Sequence, residues 1–300
     1  MPVNITKPET VLLRWYAKHG RKLPWRNTRN AYRILVSEIM LQQTQVSRVK
    51  EKYKEWLSLF PNWNALASAS NANVIHAWAG LGYNRRALAL RDIARQVVEQ
   101  GEPTTREEWL ALKGVGPYTS AALASFSLHH RELPIDTNIR RVLGRALLGI
   151  HFPQLEDDER IDAVGKQLVA TSKKHFDVPQ AIFDLATSHC VKMPDCAACP
   201  LVTQCKVAPD FLAGRVEEPR RMTKKTTEHI QEGKKYPDRI YRGRILKLVR
   251  EQREITIGAI GPAIDPTFDP IRDSQWIEEL VERLNKDNLV QRQGGAVKLS

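Results

Sequence analysis

The sequence predicts an all-α chain that ends in a small winged-helix-like domain. Three observations carry that prediction. Apolar residues recur at three- and four-residue spacing through "VLLRWYAKHG", "AYRILVSEIMLQQTQVSRVKEKYKEWLSLF", "NRRALALRDIARQVVEQ", "SAALASFSLHH", "NIRRVLGRALLGI" and "AIFDLATSHC", which is the period of amphipathic helices. Alternating strand patterns are scarce before residue 206, and short Gly-, Pro- and Asn-marked joints separate the helical runs. The last twelve residues, "LVQRQGGAVKLS", read as strand, Gly-Gly turn, strand. They follow the helical patterns "DRIYRGRILKLVREQ" and "DSQWIEELVERLNKDN", with an irregular stretch between. Helices followed by a terminal hairpin suggest a winged helix-turn-helix.

A chain of 300 residues suggests two domains and is long enough for a sizeable core. Composition changes after Cys205: residues 206–248 contain twelve Lys or Arg and six Asp or Glu, including the cluster "RRMTKK". The expected organisation is therefore a helical domain over 1–212, a basic linker over 213–235 and the winged-helix-like domain over 236–300. An exposed linker of this charge is suited to lie along a phosphate backbone. Overall, 46 Lys and Arg stand against 34 Asp and Glu, a formal net charge of +12. That excess favours a polyanionic partner, nucleic acid first and anionic membrane second. The N-terminal residues hold no uninterrupted apolar h-region, and no run approaches membrane-spanning length. A membrane-embedded or exported protein is not expected.

All four cysteines fall within "CVKMPDCAACPLVTQC", at Cys190, Cys196, Cys199 and Cys205, spaced C-x6-C-x2-C-x5-C. A disulfide framework would spread its cysteines to close long loops. Four crowded thiols look instead like ligands of one centre. Structural zinc usually sits between two C-x2-4-C knuckles, and only one such pair occurs here. A [4Fe–4S] cluster takes four thiolates and suits the wider spacing, with zinc as the alternative. Thiols kept for a metal centre point to the reducing cytoplasm.

"LKGVGPYTSAAL" (112–123) joins the end of one helix to the start of another. Gly114 and Gly116 permit backbone conformations that a β-carbon would oppose. Pro117 suits the first helical position. Free N–H groups and a helix N-terminus then offer an anion site fit for a DNA phosphate. Twenty residues beyond Gly116 lies "LPIDTNIRRVL", where Asp136 precedes a new helix. Helix capping is its ordinary reading, and a charged group at the mouth of a basic groove is its functional one.

The hairpin "LKGVGPYT", the Asp in "IDTN" and the four-cysteine loop, in this order, resemble the helix-hairpin-helix DNA glycosylases of the endonuclease III superfamily. Within it, "LPWR" (23–26), "SEIMLQQTQV" (37–46) and "GLGYNRRA" (80–87) are similar to the MutY family of adenine DNA glycosylases, which remove adenine mispaired with 8-oxoguanine. The match runs from about residue 9 to 207 and is specific in combination.

The resemblance implies a two-lobed helix-hairpin-helix fold with an iron–sulfur cluster loop. It implies a monomer acting on double-stranded DNA that contains a mismatched adenine, in the cytoplasm and associated with the nucleoid. Glu38 matches the acid that protonates the adenine ring, and Asp136 the carboxylate that stabilises the positive sugar. Tyr118 occupies the position where lyase-competent relatives carry a Schiff-base lysine, and Asn138 matches an active-site Asn. Arg26 and Leu41 match the adenine pocket, and Gln180 lies on the helix leading to Cys190, within reach of it. Gln43 and Tyr83 match residues that wedge into the base stack, while Gly114 and Gly116 belong to the DNA-gripping hairpin.

Elementary chemistry agrees with these residue types. Breaking an N-glycosidic bond leaves an oxocarbenium-like sugar and a poor leaving group. One carboxyl must hold a proton near pH 7 and another must stay charged. Glu38 lies in the apolar run "ILVSEIML", where burial would raise its pKa. Asp136 lies at a helix N-terminus, which favours its charged form. Two local departures from the family pattern are Thr137 in "IDTN" and the Ala186 and Ser188 of "DLATSHC". A third is larger: many members carry a β-rich, pyrophosphatase-like C-terminal domain that checks for 8-oxoguanine, in place of the short basic tail here. That tail, with Arg and Lys but no evident aromatic pocket, is expected to clamp duplexes without sequence preference. Competing readings are a mismatch thymine or uracil glycosylase of the same superfamily, and a non-catalytic iron–sulfur DNA-binding regulator. Retention of both carboxylates argues against the regulator.

Overall fold

The computed structural model describes residues 6–219 and 228–300. The cluster "RRMTKK" of the expected linker, at 220–225, lies outside the described residues. Helices dominate, in the order α1 (Thr6–His19), α2 (Ala31–Leu41), α3 (Val46–Leu59), α4 (Trp63–Ala67), α5 (Asn71–Ala77), α6 (Arg85–Gln100), α7 (Arg106–Ala111), α8 (Pro117–Phe126), α9 (Thr137–Leu143), α10 (Asp158–Thr171), α11 (Asp177–Ser188) and α12 (Ala208–Leu212). The C-terminal part adds α13 (Asp238–Gln252), β1 (Glu254–Thr256), α14 (Ile257–Ile264), α15 (Pro270–Lys286), β2 (Val290–Gln293) and β3 (Ala296–Leu299). Among the described residues, no helix is long and apolar enough to cross a membrane.

Local chemistry sets many of these boundaries. Asn62 and Ser70 cap α4 and α5 by accepting from the N–H groups of Ala65 and Asn73. Thr105 and Glu108 form a reciprocal capping box on α7. Each such cap satisfies amide donors that the helix itself leaves unpaired, at about 1 kcal/mol apiece.

The chain divides into two compact units. The first combines Met1–Glu38 with Pro103–Arg220. Its core gathers one face each of α9, α10 and α11, with Ile139, Val142, Ile161, Leu168, Ile182 and Leu185 buried together and Leu12 of α1 packed among them. Each fully buried aliphatic chain contributes roughly 1.5–3 kcal/mol before entropy is counted. α8 is buried along nearly its whole length, because "TSAALASF" offers small residues on every face.

The second unit combines Ile39–Glu102 with Arg221–Ser300. Trp56 and Trp78 meet edge to face at 5.3 Å in the core under α3 and α5. Farther along the chain, β1, β3 and β2 form a three-stranded antiparallel sheet in that order, with Ile255 opposite Val297 and Val290 opposite Leu299. Gly294 turns the terminal hairpin at φ +57°. The stretch expected to be irregular is ordered: it forms β1 and α14. A three-residue strand is too short to show alternation, and Gly258, Gly261 and Pro262 mask the helical signal. Packing of this domain begins before α13, where Lys234, fully buried, reaches Asp265 at 2.6 Å and Asp273 at 2.5 Å.

Candidate active site

Glu38 sits in α2 within the run Ile34–Met40, every member of which is buried. A carboxylate there has lost its water and gained one strong partner: the Tyr118 hydroxyl donates to Glu38 Oε2 at 2.8 Å. Burial is the dominant influence and pushes Glu38 up to about 7. The Tyr118 hydrogen bond and the Arg26 charge oppose that shift, and the charge of Asp136 adds to it. Burial also raises the Tyr118 phenol well above its ordinary value, so it remains a neutral donor.

Tyr118 is placed by the hairpin. Gly114 takes φ +99°, a conformation that glycine adopts without strain. Gly116 does not need that freedom: it is extended (φ −97°, ψ 175°) and caps α8, with Pro117 in the first turn. Open space lies where its β-carbon would be, so its lack of a side chain leaves room for close approach rather than relieving strain. Tyr118 follows directly, in the first turn of α8.

Asp136 caps α9. Its Oδ1 accepts from the N–H groups of Asn138 and Ile139, both at 2.8 Å, and its Oδ2 from Asn138 Nδ2 at 2.6 Å. The expectation that the helix terminus would set its ionisation needs correction. Burial prevails and moves Asp136 upward, against the pull of those donors and of Arg141. The donors nevertheless fix the acceptor geometry of a carboxylate. From Asn138 the hydrogen bonds continue: Arg141 Nη2 donates to Asn138 Oδ1 at 3.0 Å, and Arg141 Nε to the Cys190 carbonyl at 2.5 Å. Asp136 and the first cysteine are thereby joined through two side chains.

Arg26 is nearly buried and forms a bidentate pair with Asp184, at 2.8 and 2.7 Å. Arg21 adds its backbone N–H and its Nε to the same carboxylate at 2.7 and 2.6 Å. Burial pushes Asp184 up, but the two arginines hold it below the usual carboxylate range. Gln180 is buried one turn before Asp184 on α11. Leu41 is the half-buried last residue of α2, three positions after Glu38.

Gln43 and Tyr83 belong to the second unit. Both take left-handed backbone angles, φ 55° and 48°, which cost a non-glycine residue on the order of 1 kcal/mol or more. Arg86 holds both turns in place. Its guanidinium donates to the carbonyls of Ile39 and Met40 in the last turn of α2 and of Gln42 just beyond it, and to those of Leu81 and Gly82 in the turn before Tyr83. Tyr83 is left 61 % exposed, a large aromatic projecting from a rigid turn.

Cys190, Cys196, Cys199 and Cys205 line one enclosed cavity with Arg145. The Arg145 guanidinium lies 3.6 Å from Cys190 Sγ and donates to the carbonyls of Val191 and Lys192. Backbone N–H groups of Leu201, Val207 and Ala208 face the sulfurs of Cys199 and Cys205. Burial pushes Cys196 to about 11 and Cys199 to about 12, so these thiols would ionise only against a compensating positive centre. The donor set, the guanidinium and the N–H groups fit a metal–thiolate group. Among the described residues, no group of three or more His, Cys, Asp or Glu side chains is placed to hold a metal ion.

The structure thus brings Glu38, Tyr118, Asp136 and Asn138 together, with Arg26 close enough to act on Glu38 electrostatically. Sequence reasoning passed over Arg21, Asp184, Arg86, Arg141 and Arg145. Asp184 had a legible signal, as the one acid in the apolar run "AIFDLA". The arginines had none, because their partners are mostly backbone carbonyls in other segments.

Residues 36–161 match the family described as HhH-GPD superfamily base excision DNA repair protein. The adenine DNA glycosylase of Mycolicibacterium smegmatis is 35% identical over 283 residues, which cover 91% of this chain and 92% of that protein. That of Mycobacterium tuberculosis is 36% identical over 198 residues, 64% of this chain, and the match spans 65% of the relative's own length. A thermostable thymine-DNA glycosylase of known structure superposes with a TM-score of 0.63 at 24% identity, covering 69% of this chain and all of that one. At that identity the likeness establishes the fold. The chain belongs to the adenine DNA glycosylase family.

Proposed function

We propose that this protein is a monofunctional DNA glycosylase that excises adenine mispaired with 8-oxoguanine or guanine, acting as a monomer on duplex DNA in the cytoplasm. The observation that carries the reading is the unequal pair of carboxyls. Glu38, raised to about 7, retains a proton near neutrality. Asp136, which burial also moves upward, is held by three N–H donors that fix its oxygens as acceptors facing the site. Tyr118 occupies Glu38 Oε2, so the transferable proton resides on Oε1.

Glu38 gives its proton to a ring nitrogen of the everted adenine. The N-glycosidic bond breaks with its electron pair leaving on the base. Asp136 stabilises the resulting oxocarbenium-like sugar. Water adds to the sugar carbon, and its released proton restores Glu38. Arg26, Asp184 and Gln180 form a buried polar set suited to hold the base. Tyr118 cannot form a Schiff base, so the abasic strand remains intact.

We assign Cys190, Cys196, Cys199 and Cys205 as the residues that would hold a [4Fe–4S] cluster. Such a centre would supply cross-linking and rigidity to the loop after α11 rather than acid–base chemistry. Arg145 offsets the negative charge of the thiolates, and Arg141 ties the loop to Asp136 through Asn138.

Single-turnover excision on A:8-oxoguanine, A:G, G:T, G:U and thymine-glycol duplexes tests the proposal. Release of adenine alone is expected, with strand breakage only after alkali. Excision of thymine or uracil from the G mispairs, or nicking without alkali, would overturn it.

A further inference from the structure

The first unit holds a cavity of about 450 Å³ that the proposed chemistry leaves unused. It lies just past the C-terminal end of α8, where His129 takes a left-handed backbone angle of φ 58°. The DNA-gripping hairpin is at the other end of that ten-residue helix, about 15 Å away along its axis. Two short segments form the walls. Arg29 lies on the one before α2, and Lys173, Lys174 and Phe176 lie on the one between α10 and α11. Both are fastened to the end of α8: Ser127 Oγ donates to the Arg29 carbonyl at 2.8 Å, and His175 Nε2 to the His129 carbonyl at 3.2 Å. Arg26 borders the cavity, but its guanidinium is committed to Asp184.

Positive charge is in excess here. Arg29, Lys173 and Lys174 form no ion pair among the described residues, and Asp177 is the one carboxylate of the described lining. Burial, with the charges of Arg29 and His175 adding to it, pushes His129 below its ordinary value. His129 Nε2 and His175 Nδ1 are shut off from water and have no hydrogen-bond partner among the described residues, a costly state that a bound phosphate oxygen would relieve. The rings of His129 and Phe176 stack in parallel, 4.9 Å between centroids, and both line the cavity. Cations, orphaned imidazole nitrogens and a flat aromatic pair in one cavity match the two halves of a nucleotide, its phosphates and its base.

We propose that this cavity binds a nucleoside 5′-phosphate, with the phosphates between Arg29 and the Lys173–Lys174 pair and the base against His129 and Phe176. A free nucleotide and the phosphorylated 5′ end of a broken strand present the same group. The site uses none of Glu38, Asp136 or Gln43 and so stands apart from the glycosylase reading.

Thymidine 5′-diphosphate is the probe, because it has no adenine to enter the excision site. Calorimetric titration of the full chain should show one site, with thymidine and inorganic pyrophosphate each at least about tenfold weaker. Lys173→Glu/Lys174→Glu should weaken the diphosphate at least about tenfold and Arg29→Gln about threefold, with melting temperature unchanged and adenine excision within about twofold. A saturating duplex that carries 2′-fluoroadenosine, which resists excision, opposite 8-oxoguanine should leave the titration as it was. Nicked duplexes with and without a 5′-phosphate at the nick separate the two sources. A phosphate-dependent gain in affinity that the double variant loses assigns the strand end, and no gain assigns the free nucleotide. Absence of saturable binding, binding that survives the double variant, or displacement of the diphosphate by the unbroken duplex would overturn the proposal.

Discussion

Two buried carboxyls in this chain have opposite fates. Glu38 in the first unit and Asp273 in the C-terminal domain are both removed from water, at 9 % and 0 % exposure. Glu38 has a neutral phenol as its direct partner, and burial drives it toward its protonated form. Asp273 has Lys234 at 2.5 Å and Arg272 at 2.8 Å, and their hydrogen bonds and charges hold it far below the ordinary range. Desolvation acts on both. What differs is whether a full positive charge is in contact, and that decides whether a buried carboxyl is a proton donor or half of an ion pair. The first arrangement suits catalysis and destabilises the ionised fold; the second suits structure and has no proton to give.

Substitutions at the two sites sharpen this contrast. The largest effect is expected from Glu38→Gln, which keeps an acceptor for Tyr118 but removes the proton donor. Single-turnover adenine excision should fall roughly 10²–10⁴-fold, the usual worth of a general acid, with duplex binding retained. Excision within threefold of the wild-type rate would remove Glu38 from the acid's role.

Next comes Lys234→Met, which leaves Asp265 and Asp273 buried together without their shared cation. Breaking a buried pair from one side costs about 3–5 kcal/mol, measurable by urea unfolding. The paired control Lys234→Met/Asp273→Leu/Asp265→Leu should recover much of that loss, since an apolar replacement leaves no charge unpaired. A loss no smaller in the triple variant would show that packing, not the uncompensated charge, is responsible.

The smallest effect is a pH dependence of stability. The folded pKa of Glu38, about 7, lies above its ordinary 4.5, so the fold binds this proton more tightly than the unfolded chain does. Stability from this group is therefore fully present below about pH 4.5 and is lost as pH rises toward 7. Glu38→Gln escapes the penalty. Its unfolding free energy should match the wild type at pH 4.5 and exceed it by roughly 3 kcal/mol at pH 8. A difference that does not grow with pH would mean that Glu38 is ionised at no cost in the fold.

Much of this molecule was legible before any coordinates. Asp136 was readable as a helix cap because the group that caps and the groups that are capped lie within three residues. The hairpin was readable from Gly114 and Pro117, and the helices from their apolar period. The gathering of the four cysteines was forced by their spacing, since sixteen residues cannot separate them far. These are short-range relations, and the chain's own stereochemistry enforces them.

The rest was decided by residues that meet only after folding. Tyr118 reaches Glu38 across 80 positions, and Arg26 reaches Asp184 across 158. No periodicity announces such pairs. Arg86 looked like one more basic residue in "NRRA", yet it spans two turns 40 residues apart because both expose carbonyls toward one point. Even the direction of Asp136 went against its local setting: the helix end favours the charged form, and the burial created by the surrounding elements outweighs it. The sequence by itself determined the helices, their caps, the four-cysteine loop and which residue types were available for acid–base work. Only the tertiary structure decided which carboxyl keeps a proton. Solvation and charge contact are properties of the packed interior, and local sequence does not encode them.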